Sequence, residues 1–349
     1  MAVLSSRLLS LTLILLFLPG CQVGYLIENA YYQADILLKR VPLKKAVDSP
    51  DYSEQTKAKL HLVQRAKEFA ETKLNLKATN NYSSFVQLKT NYIVHSLTVA
   101  PRDKLEPYQW SFPFFGSFPY LGYFNKESAL KAQKKFQDSH YDTYLRGVSA
   151  FSTLGWFDDP ILSTMMNYSD YDLVNLIIHE TVHATIYIKN AVDFNERLAT
   201  YIGNIGTEIF YREAERTQSK TLAEASDQSV DDQVFSDFLS RELTDLKKWY
   251  EEQKSPPTED MRSAIFNEMK LRFTQTAMPK LKTKAYTWFA DAQLNNARLL
   301  SYQTYYKDLG DFQKLFEKLS RDPRKLIEFC KGLEKSEKPE DEVKRFTGS

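Results

Sequence analysis

An α+β fold, mostly helical with a small sheet, is what this sequence predicts, and three observations predict it. Apolar residues recur at intervals of three and four through most of the chain. One stretch, Phe85 to Leu121, is instead β-branched and aromatic, punctuated by Pro101, Pro107, Pro113 and Pro119. No internal repeat divides the remainder, and 43% apolar content over 349 residues is enough to bury a core. Because 46 Lys and Arg face 45 Asp and Glu, the chain offers no broad basic field, which sets nucleic acid aside as a partner.

The first segment reads as an export leader. Arg7 precedes an apolar run from Leu8 to Leu18, too short to span a bilayer and of signal-peptide length, so residues 1–20 are expected to be removed. Leu18-Pro19-Gly20-Cys21 resembles a bacterial lipobox, in which the cysteine is acylated and becomes the new N-terminus, although Pro19 stands where a small residue is usual. The plainer reading is a secretory signal that ends near a cysteine. With Cys21 acylated, Cys330 has no partner and the mature chain has no disulfide. Gln22 after the cysteine, by the sorting rules of such lipoproteins, implies an exported protein held by its N-terminal lipid at the periplasmic face of the outer membrane.

Next comes an amphipathic segment from Tyr25 to Arg40, broken by Pro42, and a longer helix from Ser53 to Leu76 with Leu60, Val63, Ala66, Phe69, Ala70 and Leu74 on one face. The sheet is expected within 85–121. Helix returns over Glu127 to Ser139, and Asp142 to Leu154 read as extended up to Gly155, with Gly147 to Leu154 as the candidate edge strand. Ser169 or Asp170 can cap a helix whose apolar Leu173, Leu176, Ile177, Val182 and Ile186 run through a histidine pair. Asp193 or Asn195 opens another, to about Glu215, with the small residues Ala199, Gly203 and Gly206 along it. Polar Thr217 to Asp232 reads as an exposed connection, followed by helices over Gln233–Gln253, Glu259–Thr276 and Lys284–Tyr306. One domain is thus expected over 21–333, and the charged 334–349 is expected to be a disordered tail.

The chemistry lies in His179-Glu180-Thr181-Val182-His183. Two histidines four residues apart project from one face of a helix, so their imidazoles can converge on one metal ion. Glu180, beside the first, can take a proton from a water next to that ion without being a ligand. A catalytic zinc takes three protein ligands and keeps one position open. Glu196, thirteen residues after His183 and at the start of the next helix, is the strongest third candidate; Asp193 and Glu208 compete. For Glu196 alone the bland alternative is an acid favoured by the helix dipole. His61, His95 and His140 are isolated and receive no role.

Phe151-Ser152-Thr153-Leu154-Gly155-Trp156-Phe157-Asp158-Asp159-Pro160, the histidine motif, and Phe194-Asn195-Glu196-Arg197-Leu198-Ala199 together resemble the bacterial lipoprotein aminopeptidase family. That group is gluzincin-like, with an Asn-Glu-x-x-Ala segment carrying the third ligand. Gly20-Cys21, and Asn295-Asn296-Ala297 near Tyr302, match its texture, so the similarity spans most of the chain. The resemblance implies a zincin-like metallopeptidase core with an active-site helix and additional C-terminal helices. It also implies a zinc-dependent peptide hydrolase, an aminopeptidase, acting on a peptide substrate. Zn2+ would be held by His179, His183 and Glu196, with Glu180 as general base. Substrate would lie antiparallel along Val148, Ser149, Ala150, Phe151 and Ser152, and Tyr302, or else Tyr305, would donate to the oxyanion. Thr200 departs from gluzincins that carry an orienting acid there, and the group that pairs with a substrate amine is left among Asp158, Asp159 and Glu208. The alternative to an enzyme is a catalytically silent envelope-binding or scaffolding lipoprotein.

Overall fold

The computed structural model describes residues 20–112, 116–149, 158–215, 219–303 and 309–348. The expected leader up to residue 19, Ala150, Phe151 and Ser152 of the expected substrate strand, and Tyr305 lie outside them. Helix α1 (Gly20–Leu38) leads through β1 (Val41–Pro42) and α2 (Leu43–Asp48) to α3 (Glu54–Thr72). Ser53 caps α3, its hydroxyl accepting from the Thr56 amide, and Leu60, Val63, Ala66 and Ala70 turn the expected apolar face fully inward.

The β-rich region forms two three-stranded sheets and a hairpin where one small sheet was expected. In the first sheet β1 pairs antiparallel with β2 (Ser84–Val86), which pairs parallel with β8 (Ile161–Leu162). In the second, β3 (Val94–Ala100) is central between β6 (Tyr120–Tyr123) and β7 (Asp142–Val148), all antiparallel, with Leu97 opposite both Leu121 and Leu145. The hairpin joins β4 (Trp110–Phe112) to β5 (Gly116–Phe118). The prolines between these strands remove ladder donors and keep each strand short. Helix α4 (Lys126–Asp138), capped by Asn125, crosses from β6 to β7 and packs on the sheet.

Two antiparallel helices form the centre: α5 (Asp170–Thr185), capped by Ser169, and α6 (Val192–Glu215). The glycines of the small-residue stripe let them approach. A methyl group on Gly206 would stand 2.9 Å from Leu74 and 3.2 Å from Ile178, both buried, so a larger residue must displace core.

Helix α7 (Lys220–Glu251) corrects the reading of 217–232 as a connection: the stretch is mostly exposed, as expected, but it is helical from Lys220 and the helix runs 32 residues. The polar stretch is helical because it has tertiary partners. Asp231, fully buried, accepts from the Lys282 and Thr283 amides and the Thr283 hydroxyl, and Asp232 accepts from Tyr286. Helix α8 (Glu259–Arg272) follows, continued by a π turn at Phe273–Ala277. The single helix expected over 284–306 is divided into a 3-10 turn (Thr287–Asp291) and α9 (Asn296–Gln303). The chain restarts at Asn296 because its backbone amide donates to Asp142 and its side-chain amide donates to the carbonyls of Pro101 and Lys104. Helices α10 (Gly310–Lys318), α11 (Pro323–Lys331) and α12 (Pro339–Thr347) complete the chain. The last of these occupies the segment expected to be a disordered tail. Its Val343 is buried against the main core, an anchor that the surrounding charges obscure in sequence.

Buried side chains gather in three main clusters: one around α3, α5, α6 and the C-terminal helices, one within α7, α8 and α9, and one between α4 and the β6-β3-β7 sheet. A polar joint connects the last two. Arg262 of α8 donates to Asp142 of β7, to Glu259 (2.8 Å) and to the Tyr250 hydroxyl (3.3 Å), while Arg102 lies 3.4 Å from the other Asp142 oxygen. Arg262 is 1% exposed and Asp142 6%, so this is an interior ion pair with its hydrogen-bonding capacity met.

Candidate metal centre

Helix α5 presents His179 and His183 one turn apart, and the chain reverses through Ile186–Ala191 before α6 brings Glu196 back beside them. Asn195 sets that return. Its buried side chain donates to the Ile188 carbonyl (2.8 Å) and accepts from the Ile188 amide (3.0 Å), closing the connection between the helices. Phe194, Leu198 and Ala199, all buried, hold the first turns of α6 against the core, so Glu196 projects from a fixed backbone. Gly203 lies two turns further along the same seam. Its Cα hydrogen faces Asn175, and a methyl group there would come within 3.2 Å of Asn175 Oδ1 and 3.5 Å of His179 Cβ.

The three side chains meet. His179 Nε2 and His183 Nε2 are 3.1 Å apart, Glu196 Oε1 is 3.4 Å from His183 Nε2, and Glu196 Oε2 is 3.8 Å from His179 Nε2. An ion bound tetrahedrally at about 2.0–2.1 Å separates its ligand atoms by about 3.3–3.4 Å. The three observed edges bracket that value. Two imidazole nitrogens facing one another can share only one proton, and a carboxylate beside them adds further lone pairs, so the set is matched to a cation. Among the described residues it is the one group of three or more His, Cys, Asp or Glu side chains disposed to hold a metal ion. Of the acids considered, Glu196 is thus the one that converges. Asp193 is exposed on the first turn of α6, and Glu208 is paired with Arg212.

Glu180 follows His179 and is half-buried. On its inner side lies Tyr82, which is buried and held at φ 59°, in the left-handed region uncommon for non-glycine residues. Burial, then the charges of Glu180 and of the buried Asp159, push the Tyr82 hydroxyl well above its ordinary range. On β6, Tyr120 is 44% exposed, and partial burial followed by the charge of the Glu196 carboxylate pushes its hydroxyl up. Neither tyrosine was singled out in the sequence, where 21 tyrosines give no reason to prefer one.

Tyr302 is on α9. Its hydroxyl accepts from Arg298 at 2.6 Å, and its ring packs against Trp288, Tyr144 and Phe235; none of these contacts reaches the triad. Of the expected substrate strand, Val148 ends β7, its carbonyl accepting from the Ile93 amide, and the Ser149 carbonyl accepts from Thr164. Among the described strands β7 is an edge, with β3 on one side only. Asp158 offers its backbone carbonyl to Arg40, and Asp159 is buried beside Tyr82.

Along the seam from His179, past the Asn175–Asn204 hydrogen bond (2.9 Å), α5, α6 and the first turns of α7 enclose a cavity of about 760 Å³. Its lining includes Asp172, Glu208 and Asp232. All three face Tyr171, whose hydroxyl is pushed up to about 12 by burial and then by these carboxylates. Burial, offset in part by Tyr286 and reinforced by Asp172, also raises the Asp232 carboxyl.

The chain matches, over residues 24–345, the model of a family described as "Putative aminopeptidase", and it belongs to that family. No curated protein and no solved structure matches it.

Proposed function

We propose that this member of the putative aminopeptidase family is a zinc-dependent peptide hydrolase acting at peptide N-termini, with His179, His183 and Glu196 as ligands and Glu180 as general base. One observation carries the reading: two imidazole nitrogens and a carboxylate converge at 3.1–3.8 Å directly beside a glutamate that is not part of the set. Imidazole and carboxylate donors suit zinc, and three of them leave a fourth position for reactants. A zinc ion held there would supply Lewis acidity at the scissile carbonyl.

The chain's own groups supply the rest. Glu180 takes a proton from the attacking water and delivers it to the departing amine. Tyr120, whose hydroxyl responds to the Glu196 carboxylate, is the phenol we assign as donor to the developing oxyanion. A substrate backbone adds along the free edge of β7 toward its end at Val148. Action at peptide N-termini rests on the family description. Export and acylation at Cys21 complete the proposal and rest on the leader and lipobox in the sequence.

The test combines metal analysis with peptide digestion. Purified chain should carry one zinc, lost in His179→Ala, and should trim peptides one residue at a time, with Glu180→Gln keeping the metal but losing the trimming. Internal cuts would replace the exopeptidase reading. A chain that binds no divalent metal would leave the silent envelope-binding lipoprotein. Tyr120→Phe should lower kcat by at least about tenfold with little change in KM, as expected for a donor used in the transition state.

A further inference from the structure

Helix α1 is apolar on two opposite faces, and protein covers only one of them. The inner face is docked. The Tyr25 ring packs on Phe112 and Tyr123 and its hydroxyl donates to the Gly122 carbonyl, Tyr32 stacks on Phe124, and Ile36 is buried in the main core. On the outer face Gly24, Ile27, Ala30, Tyr31, Ala34 and Leu38 are all exposed. At about 100° per residue these six fall within an arc of about 120° that contains no charged side chain. Ile27, Tyr31 and Leu38 are 62%, 67% and 86% exposed, among the largest values for apolar residues in the protein. From Gly24 to Leu38 the stripe extends about 21 Å along the helix.

Both ends of this helix point to what covers the stripe. The apolar run Leu8–Leu18 lies immediately before it and Cys21 in its first turn, so either an acyl chain or the leader itself delivers that turn to a bilayer. Soon after it Lys44 and Lys45 are exposed, a cationic pair that suits phospholipid phosphates, while Lys39 pairs with Asp35 and Arg40 donates to the carbonyls of Leu37 and Asp158. We infer that α1 is an interfacial helix: it lies flat on the phospholipid surface with Ile27, Tyr31 and Leu38 among the upper acyl carbons. It thereby fixes the orientation of the protein on the membrane instead of leaving it on a flexible tether. This goes beyond the hydrolytic reading and holds whether or not the chain cleaves peptides.

The test places a nitroxide at Ile27→Cys, Tyr31→Cys or Leu38→Cys in the full chain reconstituted into phosphatidylethanolamine–phosphatidylglycerol vesicles. Leu271→Cys, 56% exposed on α8, is the reference. Cys330 is buried, and the chain with native cysteines alone gives the background to subtract. Collisions with oxygen should exceed those with a water-soluble nickel chelate severalfold at the three stripe positions and fall below them at Leu271. Equal chelate access at all four, or no association with vesicles, overturns the inference. So does spin–spin broadening between copies at position 31 without lipid, which would make the stripe a contact between two chains. The mass of the N-terminal peptide from the same sample reports acylation separately. Inserted labels without acyl chains keep the interfacial helix and remove the lipid anchor, and an acylated chain with water-exposed labels does the reverse.

Discussion

The metal triad and the Asp142–Arg262 joint both gather ionisable side chains from separate elements, yet they are composed in opposite ways. Around Asp142 every acceptor meets a donor: Arg262, Arg102 and the Asn296 amide surround one carboxylate, and Tyr250 and Glu259 complete the guanidinium. Around His179, two imidazole nitrogens and a carboxylate face one another with at most one proton shared between the rings, and Glu196 remains 40% exposed. The first cluster is closed and needs nothing further; the second is disposed to hold a cation and has an exposed side. Buried charge alone therefore does not mark a functional centre. An excess of lone pairs over protons, with an accessible side, does.

The contrast is broken most severely by substitutions that should separate chemistry from stability. Glu180→Gln is expected to lower kcat/KM for peptide hydrolysis by about 10²–10⁴ while leaving the urea midpoint and the metal content unchanged. A comparable loss of stability would show that Glu180 belongs to the fold. Arg262→Ala should do the opposite. Removing one partner of a buried pair costs about 3–5 kcal/mol, to be read as a lower urea midpoint, with one metal still bound per folded chain.

Asn195→Ala addresses both clusters' logic in one residue, since it strips a buried amide and carbonyl of Ile188 while leaving the ligands intact. About 1–3 kcal/mol of stability should be lost, and metal affinity should fall because Glu196 is no longer held; competition with a chelator would measure it. The smallest expected effect concerns pH. Burial pushes the Asp231 carboxyl up, but hydrogen bonds from Thr283 and Lys282 more than offset this and hold it below the usual carboxylate range. A depressed folded-state pKa contributes stability that is present above the unfolded value near 4 and is lost as pH falls through the folded one. Asp231→Asn should therefore flatten the acid limb of the stability profile below about pH 4, followed by circular dichroism at fixed urea.

The two regions also differ in how far they can be read from sequence. His179, Glu180 and His183 are legible because a helix converts a spacing of four residues into adjacency without help from the rest of the chain. Glu196 is legible for a related reason: a short reversal after α5 leaves few acids within reach. Tyr120, 59 residues before His179, carries no such mark, and Asn195 reads as a helix cap when it serves as the clasp of the reversal. The Asp142–Arg262 pair, 120 residues apart, is invisible in sequence, and so are the partners that turn 220–232 into helix.

By itself, then, the sequence determined the features that depend on nearest turns: the apolar faces of α3 and α5, the caps at Ser53 and Ser169, the convergence of two imidazoles, and the apolar run that precedes α1. Tertiary structure alone decided that Asp193 and Glu208 stand apart from the triad, which tyrosine senses the Glu196 charge, that a helix begins anew at Asn296, and which apolar face of α1 is left uncovered. The physical reason is one of range. Periodicity and capping act through bonds a few residues long, whereas these outcomes depend on contacts between segments that approach only after the chain has collapsed around its cores.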